Sequence, residues 1–383
     1  MKILFISDVY FPRVNGVSTS IRTFVAQLQA LGHTVDLIAP DYGIATADEA
    51  WIKRMPARSI YFDPEDKLMK YNAVLKRLPE LRDENYDLVH IHTPFVAHYA
   101  GVKLAKLLGV SCVETYHTFF EDYLHHYLPI IPKKLAKSLA RLISKKQCNV
   151  LDAVIAPSQP MLDALRTYGI STQAQVIPTG LQAHSFAAAD GAAFRAKYGI
   201  AQNRPMLLYV GRVAFEKNIN FLLEMTKVLI TKQPKALLVV TGEGPAEASL
   251  HKQAKELGLN QNIQFIGYLD RATELNACYK SADVFVFSSK SETQGLVLLE
   301  AMAQGTAVVS IAELGTKSLL IEGEGVLIST ENTTEFADKV SYLLSHETER
   351  LVLGAKAMAY VAKRWTDKVH AERLVQFYSE LIS

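Results

Sequence analysis

The chain has 383 residues, of which 49% are apolar and 21% charged, with a formal net charge of +2. That length exceeds one ordinary core, so about two domains of soluble globular character are expected, and the near-neutral balance argues against a generic nucleic-acid binder. Cys112, Cys148 and Cys278 are odd in number and lack metal-type spacing, which disfavours a disulfide framework or a zinc site and fits a reducing cytoplasm.

The N-terminal run MKILFISD reaches Ser7 and Asp8 too soon for a signal-peptide core, so no export is expected. No apolar run is long enough to span a bilayer. KILFIS, TVDLIAP, DLVHIHT, SCVETYH, AVIAPS and QVIPTG then alternate with helix-length segments. Buried strands in that rhythm predict a parallel sheet with helices on both faces, one doubly wound domain over residues 1–180. After Gly180 an alanine-rich polar passage intervenes. PMLLYVGR, ALLVVTGEG, IQFIGYL, DVFVFSS, AVVSIA and GVLIS follow and predict a second doubly wound domain over 181–364. Residues 365–383 read as an amphipathic helix, with Leu374, Phe377, Tyr378 and Leu381 at helical spacing, able to pack on either domain. Open parallel sheets bind ligands beyond the carboxyl ends of their strands, so two such sheets facing each other would share an interdomain cleft.

Several loops at those strand ends carry chemistry. In FPRVNGVSTSIRTF, Asn15-Gly16 is a turn signal and Ser18 or Thr19 a candidate helix cap. The loop is either an anion site at a helix N-terminus or an ordinary β-to-α turn. YVGRVAFEKN places Arg212 and Lys217 around a similar turn, where they read as a diphosphate clamp or as solvated surface cations. TGEGP, with Gly242 and Gly244, follows a later strand and not the first, which makes it a weak dinucleotide fingerprint, so it reads as a turn lining the cleft. SETQGLVLLEAMAQG holds Glu292 on a loop, Gly295 before a helix from about Leu296, and Glu300 more than a turn inside it. Two carboxylates so placed could accept hydrogen bonds from the hydroxyls of one polyol. Glu300 could equally pair with a neighbour, and Glu292 could simply favour the helix dipole. His117 ends the strand SCVETY. His117, Glu121 and His125 could share a helical face, but without a fourth ligand they are a poor metal site.

IIPKKLAKSLARLISKKQC contains six lysines or arginines and no acid. At helical period Lys133, Lys134, Lys137, Arg141 and Lys145 fall on one face and Leu135, Leu139, Leu142 and Ile143 on another, after Leu128, Ile130 and Ile131. This is a basic amphipathic helix for an anionic membrane surface, or one whose apolar face packs on its own domain.

In this order FPRVNG, VGR, EKN, TGEGP, FIGYL and the E-x7-E pair resemble the nucleotide-sugar-dependent retaining glycosyltransferases of family four, over nearly the whole chain. The resemblance implies the GT-B fold: α/β, two doubly wound Rossmann-like domains facing an interdomain cleft. It implies that Gly16 brings backbone N–H groups to the donor diphosphate and that Arg212 and Lys217 neutralise it. Glu300 would hold ribose hydroxyls, and Glu292 hydroxyls of the transferred sugar, with Thr293, Gln294 and Gly295. Gly267 and Tyr268 would border the base, and His117 would contact the sugar near the reacting carbon. HTFFEDYLHHY followed by the basic helix is most similar to the diacylglycerol glucosyltransferases. The expected function is therefore hexosyl transfer, of glucose from UDP-glucose to a lipid hydroxyl, on the inner face of the cell membrane, with no nucleic-acid partner. The sequence has no Asp-x-Asp triplet, and no metal or cofactor beyond the donor is expected. A GDP-mannose donor or soluble acceptor on the same fold, a non-catalytic sugar-binding protein, and a dehydrogenase are the alternatives. The last lacks a first-strand GxGxxG.

Overall fold

The computed structural model describes residues 1–43, 49–60, 63–117, 133–271 and 273–382. The segment 118–132, with Glu121, His125, Leu128, Ile130 and Ile131, and the side chains of Lys133 and Lys134 lie outside the described residues. The chain divides into two compact units, Met1–Gly180 with Asp367–Ser383, and Leu181–Thr366.

In the first unit the strands are β1 Lys2–Ile6, β2 Thr34–Pro40, β3 Ile52–Met55, β4 Ala57–Ile60, β5 Asp63–Met69, β6 Leu88–Ile91, β7 Ser111–Thr115, β8 Ala153–Ala156 and β9 Gln173–Val176. Seven of them form a parallel sheet in the order β3-β2-β1-β6-β7-β8-β9. β4 and β5 pair antiparallel as a separate hairpin. The sequence reading missed β3 and this hairpin, whose residues are too polar to read as buried strands. The strand order reverses between β1 and β6, which makes that crevice the switch point where ligands of such sheets bind. The helix Asp367–Ile382 packs in this unit against the helix Gly16–Ala30, burying Leu374, Phe377 and Tyr378.

The second unit has β10 Met206–Val210, β11 Leu237–Thr241, β12 Ile263–Gly267, β13 Val284–Phe287, β14 Ala307–Ile311 and β15 Val326–Ser329. They form a parallel sheet in the order β12-β11-β10-β13-β14-β15. β10, β11, β13 and β14 are buried along their whole length, because helices cover both faces. Here the order reverses between β10 and β13, so the loops carrying Arg212, Lys217 and Glu292 leave the sheet at its switch point.

Two local expectations need correction. The helix Gly16–Ala30 is capped by Asn15, whose side chain accepts from the Ser18 N–H at 2.9 Å. Ser18 instead donates its hydroxyl to the Arg13 carbonyl at 2.7 Å. In the helix Lys133–Cys148 the leucine face is not the packed one: Leu135, Leu139, Leu142 and Ile143 are exposed, and Ala136, Ala140, Ser144, Gln147 and Cys148 are buried. That buried face is held by polar contacts: Ser144 Oγ meets the Tyr116 hydroxyl at 2.7 Å and Gln147 Nε2 donates to the Pro94 carbonyl at 2.7 Å. No helix of the described residues is long and apolar enough to cross a membrane.

Candidate active site

The loop after β10 is held from several sides. Wholly buried Tyr209 donates its hydroxyl to the Arg212 carbonyl at 3.2 Å, and Val213 N–H donates to Glu243 O at 2.9 Å. The TGEGP glycines are required by this contact. A Cβ on Gly242 would lie 2.0 Å from the Gly211 carbonyl oxygen, and one on Gly244 would lie 2.4 Å from that of Val213. Across the switch point Ser288 Oγ donates to Asn218 O at 2.9 Å.

These contacts bring Arg212, Lys217 and Glu292 together. Lys217 Nζ lies 2.5 Å from Glu292 Oε1, with both side chains largely but not fully covered. Arg212 Nη1 lies 3.8 Å from Glu216 Oε1. The clamp read from sequence as cationic is thus a mixed cluster in which each cation faces a carboxylate. A lysine has three donors, so Lys217 can hold Glu292 and still reach a phosphate oxygen. The helices Ile219–Leu229 and Leu296–Ala303 both begin beside this cluster without a side-chain cap. Their first N–H groups and positive dipole ends suit an anion.

The SETQG loop is shaped by two glycines. Gly295 sits at φ +98°, a left-handed conformation that glycine adopts without Cβ strain. Gly315, which sequence reasoning did not single out, donates its N–H to the Glu292 carbonyl at 2.9 Å, and a Cβ there would lie 2.1 Å from Thr293 O. Gln294 is buried and Thr293 half-buried on this loop.

Glu300 is buried on the helix Leu296–Ala303 and does not touch Glu292's partners. Its Oε1 accepts from Arg271, and its Oε2 accepts from the Tyr279 hydroxyl at 2.7 Å. Arg271 and Tyr279 were not found by sequence reasoning, since neither stands in a recognisable pattern with Glu300. The nearby Glu300 carboxylate pushes the Arg271 pKa up, and burial pushes that of Tyr279 up. A carboxylate can accept about four hydrogen bonds, so both oxygens retain capacity for a diol. Gly267 ends β12 at φ +82°, and the Tyr268 ring beside it is half exposed.

Gly16 and His117 belong to the first unit. A Cβ at Gly16 would meet nothing within 4 Å, so the space over that helix start is open. His117 follows β7 and lies 3.3 Å, Nε2 to Nδ1, from His92, which follows β6. Burial pushes the His117 imidazole down to about 4, so it is neutral near pH 7. Asp8, after β1, is also buried, and its Oδ2 accepts from Thr93 Oγ1 at 3.0 Å and Ala97 N at 2.7 Å. Among the described residues no cluster of His, Cys, Asp or Glu is arranged to hold a metal ion.

Residues 14–184 match the family described as Glycosyltransferase Family 4, and residues 190–360 match Glycosyl transferases group 1. The chain is 30% identical to an alpha-monoglucosyldiacylglycerol synthase of Streptococcus pneumoniae, over 100% of this chain and 86% of that protein. It is 26% identical to the enzyme of the same name from Acholeplasma laidlawii, over 100% of this chain and 98% of that one. Its fold resembles that of Anabaena HepE crystallised with UDP-glucose, with a TM-score of 0.78 and 19% identity over 100% of both chains. The mixed cation and carboxylate cluster at a parallel-sheet switch point therefore belongs to a GT-B glycosyltransferase, and the chain is a member of the family-four glycosyltransferases.

Proposed function

We propose that this glycosyltransferase moves glucose from UDP-glucose to a lipid hydroxyl, such as that of diacylglycerol, with retention of configuration, at the inner face of the cell membrane. The observation that carries the reading is the Lys217–Glu292 pair beside Arg212 at the β10/β13 switch point. A nucleotide sugar is a diphosphate bonded to a polyol, and this cluster offers cations for the first and a carboxylate for the second.

In this reading the diphosphate lies over the two uncapped helix starts, with Arg212 and Lys217 on its oxygens. As the glycosidic bond to phosphate breaks, negative charge grows on the leaving diphosphate, and fixed donors of this kind each contribute roughly 10²–10³ in rate. That arrangement needs no divalent metal, and Gly16 offers a further open backbone approach to phosphate. Glu292, Thr293, Gln294 and Gly295 orient the sugar, Glu300 the ribose, and Gly267 with Tyr268 the base. His117, neutral, hydrogen-bonds a sugar hydroxyl. Retention is supported by the relatives' names: an α-linked product from an α-linked donor keeps its configuration.

The lipid acceptor is supported by the helix Lys133–Cys148. Arg141 and Lys145 are exposed along one flank and Leu135, Leu139, Leu142 and Ile143 along the other, with exposed Lys146 off the basic stripe among the leucines. Such a helix lies in a membrane interface, with leucines in the acyl boundary and cations on anionic headgroups.

The test is turnover of a panel of nucleotide sugars by the pure protein, first without acceptor and then with diacylglycerol in anionic vesicles. UDP-glucose should be hydrolysed slowly alone and give an α-glucosyl lipid with vesicles. Preference for GDP-mannose, or transfer only to soluble acceptors, would select the alternative donor or acceptor on the same fold. A β-linked product would overturn retention.

A further inference from the structure

His90 lies within β6, His92 just after it and His117 two residues beyond β7, and their rings follow one another. The His90 and His92 centroids lie 4.1 Å apart, and those of His92 and His117 lie 5.6 Å apart at an interplanar angle of 21°. Phe5 packs on both His90 and His92. His90 is satisfied at both nitrogens, by the Tyr378 hydroxyl at 2.5 Å and the Thr115 hydroxyl at 2.7 Å. His92 is not: its Nδ1 meets His117 Nε2 at 3.3 Å, while its Nε2 is buried with no partner among the described residues.

A neutral imidazole carries one N–H and one lone pair, so only two arrangements of this pair are open. With the His92 proton on Nε2, an N–H would be buried without an acceptor, and Nδ1 would accept from His117. With the proton on Nδ1, His92 donates to His117 Nε2 and only a lone pair is left unpaired. Orphaned buried N–H groups are rarer than under-satisfied acceptors, and the second arrangement is the cheaper one. Burial holds both imidazoles well below their ordinary pKa, so the tautomer is the remaining variable.

We infer that His92 is a positioning residue: through its Nδ1–H it fixes half-buried His117 as the Nδ1–H tautomer, so that His117 presents a donor, and not a lone pair, at Nδ1. A fixed donor suits a sugar hydroxyl oxygen. That use rests on the transfer reading above, whereas the tautomer itself does not.

The experiment is long-range ¹H–¹⁵N correlation on the full chain labelled with ¹⁵N-histidine, without substrate, His117 being assigned by the loss of its signals in His117→Asn. A protonated Nδ1 and bare Nε2 on His117 are expected; the reverse pattern overturns the inference. His92→Phe keeps a ring but removes the donor and should release His117 into a mixture of tautomers, whereas an unchanged pattern means that His92 does not set it. His92→Asn places an amide N–H near the lost Nδ1–H and should restore the native pattern; failure to do so counts against the inference. Should His92→Phe not fold, the wild-type and His92→Asn spectra decide it. In turnover, kcat should fall about fivefold in His92→Phe, the worth of one hydrogen bond, and recover in His92→Asn. A wild-type protein inert towards every nucleotide sugar would remove the transfer reading and leave the tautomer result standing.

Discussion

Lys217 and Glu292 meet across the switch point of the second sheet at 2.5 Å, although 75 residues separate them in the chain. Each holds the other in place, so removing one disturbs both. Lys217→Ala should lower kcat about 10²–10³-fold through the lost phosphate contact, and Glu292→Gln should lower it through the sugar. Thermal denaturation should show both variants folded. Kinetics within threefold of wild type for Lys217→Ala would remove it from the donor site.

Glu300 is shared between Arg271 and Tyr279, and this makes their roles separable. Tyr279→Phe deletes one hydrogen bond to the charged Glu300 carboxylate and should cost about 1.5–3 kcal/mol of stability with a small change in KM for the donor. Glu300→Gln weakens the reach to a diol and should raise that KM about tenfold or more, with the acceptor KM unchanged. Donor titrations on the two variants check this, and equal effects would mean that Glu300 acts only as a structural partner.

Burial pushes the Asp8 carboxyl up from 3.8 to about 7. A carboxyl whose folded pKa lies above its unfolded value contributes stability that is complete below about pH 4 and lost as pH rises through 7. Between pH 5 and 8 the wild type should therefore lose about 2–3 kcal/mol relative to Asp8→Asn, which cannot ionise. Urea unfolding of both proteins at the two pH values measures it. A constant difference would show that Asp8 titrates in its ordinary range.

The helix Lys133–Cys148 carries Arg141 and Lys145 on one flank of its exposed side and leucines on the other, with Lys146 among the leucines, so its membrane contribution divides into a charged and an apolar part. Arg141, Lys145 and Lys146 changed together to glutamine should weaken binding to anionic vesicles about 100-fold at low salt, at about 1 kcal/mol each, with the loss shrinking as salt rises. Leu135, Leu139 and Leu142 changed to serine should weaken it at every salt concentration. Slow hydrolysis of UDP-glucose should survive both sets. Vesicle sedimentation reads the result, and unchanged binding in both would assign the helix to the solvated surface.

Much of this protein is determined locally. Strands such as LFI in KILFI and MLLYV are runs of apolar residues because a sheet covered on both faces buries every side chain, so the two doubly wound units are legible in the sequence. The loops at the strand ends are legible too, since Gly295 and the E-x7-E spacing reflect backbone needs met within a few residues. Only the tertiary structure pairs Lys217 with Glu292, Glu300 with Arg271 and Tyr279, and His92 with His117, and sets Gly315 beneath the Glu292 loop. It also decided that the alanine stripe of the helix Lys133–Cys148 packs while its leucines face outward. Helical periodicity reports which residues share a face. Which face is buried depends on the shape of the surface it meets, formed by strands and helices distant in sequence.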